Sequence, residues 1–136
     1  MVKFNFKLSS DDDLILVEAL VNNFPLILAL DTAASQTVID WNALFLAGCA
    51  IPQESNMKET VPVETASGVM EVPIYEINDF NTLGIQSKNF SVLTYVLAKG
   101  LTSPYDGVLG IDFFRKKWVL TIDFIEEKLW LTSKKK

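Results

Sequence analysis

Asp31 ends an unbroken apolar run, Leu26–Leu30, and is followed at once by Thr32, Ala33, Ala34 and Ser35. An ionisable carboxyl at the mouth of a buried strand is costly unless something pairs with it or uses it. The segment therefore reads either as a strand-end turn or as a general acid–base group. Composition narrows the chemistry such a group could join. Histidine is absent and the one cysteine is Cys49, which excludes Ser-His-Asp and Cys-His catalysis and the ordinary zinc sites. Ser35, with no base to activate it, reads as a local backbone-bonding hydroxyl. Asp11–Asp13 lack the glycine and distal glutamate of a calcium loop and read as a solvated turn. Cys49 reads as a small core residue. No metal ligand set and no cofactor is expected.

The elements that must position Asp31 are mostly extended. "VKFNFKL" alternates, with Val2, Phe4, Phe6 and Leu8 on one face, and predicts a half-buried strand. "LILVEALVNNFPLILAL" predicts two strands around an Asn22-Asn23 turn, the second apolar on both faces and so central. A short strand, "TVI", follows the Asp31 turn. "DWNALFLAG" predicts a helix capped by Asp40 and ended by Gly48, with Trp41, Leu44 and Phe45 on one face. "VPVETASGVMEVPIYEI" predicts a hairpin turning at Ala66-Ser67-Gly68, with Pro62 and Pro73 suited to an edge ribbon. "KNFSVLTYVL" is another strand. "DGVLGIDFFRKK" predicts a short strand, a glycine bend and a helical turn opened by Asp112. "WVLTIDFIEEKLWL" closes the chain as a hairpin with Leu120, Ile122 and Phe124 inward. The fold class is all-β, a closed barrel with one or two short helices. It forms a single domain over residues 1–136, and residues 133–136 are expected to be a disordered basic tail.

With 12 Lys and Arg against 17 Asp and Glu, the net charge is -5, against the basic face that nucleic-acid binding requires. Hydrophobic residues make up 49% of the chain, a surplus that suits a surface reserved for another copy of itself. No apolar run approaches the roughly 18 residues of a membrane span. Lys3 and Lys7 precede acidic residues instead of an apolar segment, unlike a signal peptide, so a cytoplasmic location is expected.

Taken in order, "LALDTAASQTVID", "ETASGVME" and "DGVLGIDFF" resemble the retropepsin-like aspartic proteases, and the likeness covers roughly residues 13 to 132. The resemblance implies that Asp31 supplies the catalytic carboxylate and that Thr32, Ala33, Ala34 and Ser35 form its loop, Thr32 bonding across two subunits. It implies that Thr65, Ala66, Ser67, Gly68, Val69 and Met70 form a flap over substrate. Val108, Leu109 and Gly110 would cross beneath the loop. Such enzymes hydrolyse peptide bonds with a water held between two carboxylates. Asp106, Asp112 and Asp123 lack the triplet, so the second carboxylate is expected from a symmetric homodimer acting on a peptide or protein substrate. One departure stands out: the family's triplet ends in glycine, and here it ends in Ala33. The alternative reading is therefore a non-catalytic dimerisation or peptide-binding module on the same fold.

Overall fold

Alternating or continuous apolar residues, punctuated by Asn-Asn, Leu-Gly and Glu-Glu turns, leave most of this chain no favourable conformation but strand. A computed structural model describes residues 2–8, 13–49, 57–65, 68–95, 105–115 and 117–133. The strands are β1 (Phe4–Asn5), β2 (Lys7–Leu8), β3 (Ile15–Val21), β4 (Phe24–Leu30), β5 (Val38–Asp40), β6 (Met57–Thr65), β7 (Gly68–Thr82), β8 (Ile85–Tyr95), β9 (Gly107–Leu109), β10 (Trp118–Asp123) and β11 (Lys128–Ser133). Among the described residues one helix, α1 (Trp41–Leu46), and one 3-10 turn at Ile111–Phe113 complete them.

The main sheet runs β2-β3-β4-β9-β5-β8-β7-β6 and closes on itself where β3 also pairs with β7. The closure places Ala19, Leu20 and Val21 opposite Thr82, Asn81 and Phe80, so six strands from β3 round to β7 make a barrel with no free edge. Of this sheet's strands, β2 and β6 lie outside the barrel, and β1, β11 and β10 form a separate three-stranded sheet. The expectation of a closed all-β barrel holds.

Local chemistry explains the turns that set the register. Asn22 and Asn23 have φ of 49° and 71°, the left-handed values a tight two-residue hairpin needs and asparagine tolerates. They join Val21 directly to Phe24 across β3 and β4. As its two-sided apolar sequence predicts, β4 is central, lying antiparallel to β3 and parallel to β9. The buried core includes Val17, Leu28, Ile39, Leu44, Ile77 and Leu109. Phe80 and Phe90 stack at 4.9 Å, and Phe113 meets both edge-on at 5.7 and 5.8 Å. These contacts lock the 3-10 turn against the β7–β8 hairpin.

Several side chains lie differently from expectation. The N-terminal strand is split: β1 pairs with β11 and β2 with β3. Between them Phe6 is buried, while Val2 is 68% exposed, because two sheets draw the chain apart at Phe6. In α1, Asp40 caps Ala43 N–H as predicted, but Ala43 and Leu44 are buried and Phe45 is 61% exposed. The helix turns the face of Ala43, Leu44 and Ala47 toward the barrel, and at about 100° per residue Phe45 falls on the opposite side. Phe124 is not in a strand; it begins the β10–β11 turn, 63% exposed, with one edge against Phe6. Strand β11 continues through Ser133, the residue at which the tail is expected to start. Residues 134–136 lie outside the described residues.

Candidate active site

The two parallel strands β4 and β9 deliver the loop that carries Asp31. Leu30 pairs with Leu109, and the Asp31 N–H donates to the Leu109 carbonyl at 3.0 Å, extending the ladder one residue past the strand end. There the chain turns back. Ala34 N–H donates to the Asp31 carbonyl at 3.1 Å, and Ala33 N–H donates to Asp31 Oδ1 at 2.9 Å. Ala34 in turn accepts from Ile111 N–H at 2.9 Å. The half-buried carboxyl is thus held through one oxygen. Among the described residues nothing bonds Oδ2.

The other aspartates singled out in the sequence are engaged in structure. Asp106 accepts from Ile27 N–H at 3.0 Å. Asp123 accepts from Ile125 and Glu126 N–H in its own turn, at 2.9 and 3.0 Å. Asp112 reaches back to the strand after the Asp31 loop. It accepts from Thr37 N–H at 3.0 Å and from the Thr37 hydroxyl at 2.8 Å. Thr37 Oγ1 then accepts from Gly110 N–H at 3.0 Å. Asp112 therefore does not open the 3-10 turn; Gly110 stands at its cap with no side-chain bond.

Gly110 is required by space. A Cβ there would lie 2.7 Å from Gln36 C and 2.8 Å from Ala34 O, backbone atoms of the Asp31 loop itself. Val108 pairs with both β4 and β5 and Leu109 with β4, so the Val108-Leu109-Gly110 segment lies directly against the loop.

An open cleft of about 540 Å³ separates the loop from the β6–β7 hairpin. Ala33, Ala34, Ser35 and Gln36 form one wall, Pro62, Val63 and Glu64 the other, with Val38 and Leu93 between them. Of the residues expected to form a flap, Ala66 and Ser67 lie outside the described residues. Thr65 pairs with Gly68 next to the turn, Gly68 has φ +116°, Val69 is 68% exposed, and Met70 lies opposite Val63. Thr32 and Ser35 are exposed, and among the described residues neither side chain bonds another group. Ala33 is not among the residues of positive φ, so its methyl is accommodated without backbone strain.

Sequence reasoning missed Thr37 and Asp112 as a pair. The available signal was a threonine between a polar turn and the apolar Val38-Ile39, where a fully buried hydroxyl must find a partner. Cys49 is buried as expected. Burial pushes its thiol above its ordinary value, with a smaller opposing effect from a hydrogen bond to Tyr75, so it is a poor nucleophile. Among the described residues no group of three or more His, Cys, Asp or Glu could hold a metal ion. No helix among them is long and apolar enough to cross a membrane.

A barrel closed by six strands, in which a parallel pair presents an aspartate in a loop of small residues, defines the retropepsin-like form of the acid-protease fold. Residues 17–113 match the family described as aspartyl protease, and the chain belongs to it. Its structure is similar to a retropepsin-like aspartic protease from Rickettsia conorii, with a TM-score of 0.68 and 18% identity over 98% of this chain and 94% of that one. It is also similar to the EIAV protease complexed with the inhibitor HBY-793, with a TM-score of 0.57 and 16% identity over 77% of this chain and 88% of that one. No curated protein matches by sequence.

Proposed function

We propose that the protein is a cytoplasmic aspartic endopeptidase that works as a homodimer, with a water activated between two Asp31 carboxylates, one from each protomer. The observation that carries this reading is the contrast among aspartates. Asp112 is bonded through both oxygens, and Asp106 and Asp123 serve backbone donors away from the loop, whereas Asp31 accepts from the Ala33 N–H of its own loop, next to the residues that line a cleft. A carboxylate fixed through Oδ1 with Oδ2 open is oriented to take or give a proton. Among the described residues one such group stands in a loop beside the cleft, and a two-fold axis supplies the second. The exposed, unbonded Thr32 hydroxyl is available for the contact between loops that such a dimer needs. The β6–β7 hairpin acts as the flap, and an extended peptide lies beneath it.

The test is sedimentation at tens of micromolar together with digestion of a denatured protein. The expected outcome is a particle of twice the chain mass whose cleavage is stopped by a pepstatin-type inhibitor. A strict monomer at every concentration rules out the shared pair of carboxylates.

Ala33 favours the second reading, a peptide-binding module without hydrolysis, because its methyl lines the cleft. Ala33→Gly separates the two. An active enzyme hindered by the methyl gains kcat/KM and loses up to about 1 kcal/mol of stability through added backbone freedom. Unchanged kcat/KM on a short peptide shows that the loop has adapted to alanine.

A further inference from the structure

We propose that the cleft beside Asp31 selects a substrate side chain with an aliphatic stem and a cationic head, lysine or arginine, and that the Glu64 carboxylate reads the charge. This rests on the protease reading above and names its substrate class. The cleft begins at Ala33, whose N–H holds Asp31 Oδ1. An extended peptide advances about 3.3 Å per residue, so the side chain seated here lies within a residue or two of the bond presented to the carboxylate.

The lining divides by chemistry. Val38 and Leu93, neighbours across β5 and β8, combine with Pro62, which shares the Glu64 face of β6, into an apolar surface suited to methylene groups. Glu64 is the only ionisable group among the described residues that line the cleft. It sits one position before the Thr65–Gly68 pair at the hairpin's turn. Its side chain is exposed, and among the described residues no cation or hydrogen-bond donor engages it. Gln36 also lines the cleft, but an amide offers both donor and acceptor and so does not choose a sign. An acidic substrate side chain would face Glu64 on a chain of net charge -5, whereas a basic one finds its complement.

The test uses peptides with a reduced, non-hydrolysable bond, identical except for lysine, norleucine or glutamate at each position near that bond. Binding is read by fluorescence anisotropy on the wild type, Glu64→Gln and Glu64→Lys. At one position the wild type is expected to bind the lysine peptide about three- to fivefold more tightly than norleucine, the range of a water-accessible ion pair. Glutamate should bind weakest, and high salt should narrow the difference. Glu64→Gln is expected to level lysine with norleucine, and Glu64→Lys to reverse the order. No lysine preference at any position, no binding at all, or a preference that survives in both variants overturns the proposal. Digestion of a denatured protein by the wild type and by Asp31→Asn, run in parallel, judges the protease reading separately. Charge selectivity without cleavage keeps the Glu64 assignment and rejects the enzyme; cleavage without selectivity does the reverse.

Discussion

Asp31→Asn is expected to lower proteolysis at least about a hundredfold, since loss of a general base removes a 10²–10⁴-fold contribution. The fold should survive. The asparagine carbonyl can accept the Ala33 N–H that Asp31 Oδ1 accepts at 2.9 Å, so the loop keeps that side-chain restraint and stability should change by no more than about 1 kcal/mol. The companion variants Asp106→Asn and Asp123→Asn supply the contrast, because their carboxylates serve backbone donors outside the Asp31 loop. Those changes should register in urea unfolding before they register in the rate of a folded enzyme. Cleavage by Asp31→Asn above about a hundredth of wild type, in a protein that unfolds normally, assigns the chemistry to another group.

The barrel was legible in the sequence wherever one local signal and one packing signal agreed. Asn22-Asn23 prescribes a tight turn and the flanking residues alternate, so β3 and β4 follow with their register. Leu26–Leu30 is apolar on both faces, which fits only a strand covered on both sides. Disagreement arose where a side chain's surroundings come from distant chain. Phe45 fits a helical stripe with Trp41 and Leu44, yet nothing local reveals that the barrel takes the face of Ala43, Leu44 and Ala47 instead. Phe124 continues a perfect alternation yet begins the turn, because Asp123 accepts from Ile125 and Glu126 N–H and bends the chain.

For the site, the loop residues were legible because a polar group among small residues after an apolar strand is locally unusual. The support beneath them was not. Asp112 reads as a helix-opening residue in its own segment, and its role appears only when β9 returns beside β5 and sets it against Thr37, 75 positions away in sequence. Glu64 similarly reads as one polar residue in an alternating ribbon until the hairpin folds over the loop and makes it a wall of the cleft.

The Asp112–Thr37–Gly110 chain should therefore dominate the stability of the Asp31 loop. Thr37 is fully buried, and its N–H and hydroxyl both end on one carboxylate. Asp112→Ala orphans both donors and is expected to destabilise by about 2–4 kcal/mol, each buried unpaired group costing about 1–3 kcal/mol. Asp112→Asn keeps one acceptor but turns an NH₂ toward the second donor, so a loss of about 1–2 kcal/mol is expected. Thr37→Val keeps the shape, frees Gly110 N–H and removes the hydroxyl donor. Combined with Asp112→Ala it should cost less than the sum of the two single changes, by about 1 kcal/mol or more, because both variants break the same bond. Activity should follow the same order through kcat, with KM nearly unchanged, since the network holds the loop and does not line the cleft. Urea unfolding of the four proteins checks the ladder. Additive losses, or an Asp112→Ala variant within about 0.5 kcal/mol of wild type, would place the loop's support in the Leu109–Asp31 and Ile111–Ala34 backbone bonds alone.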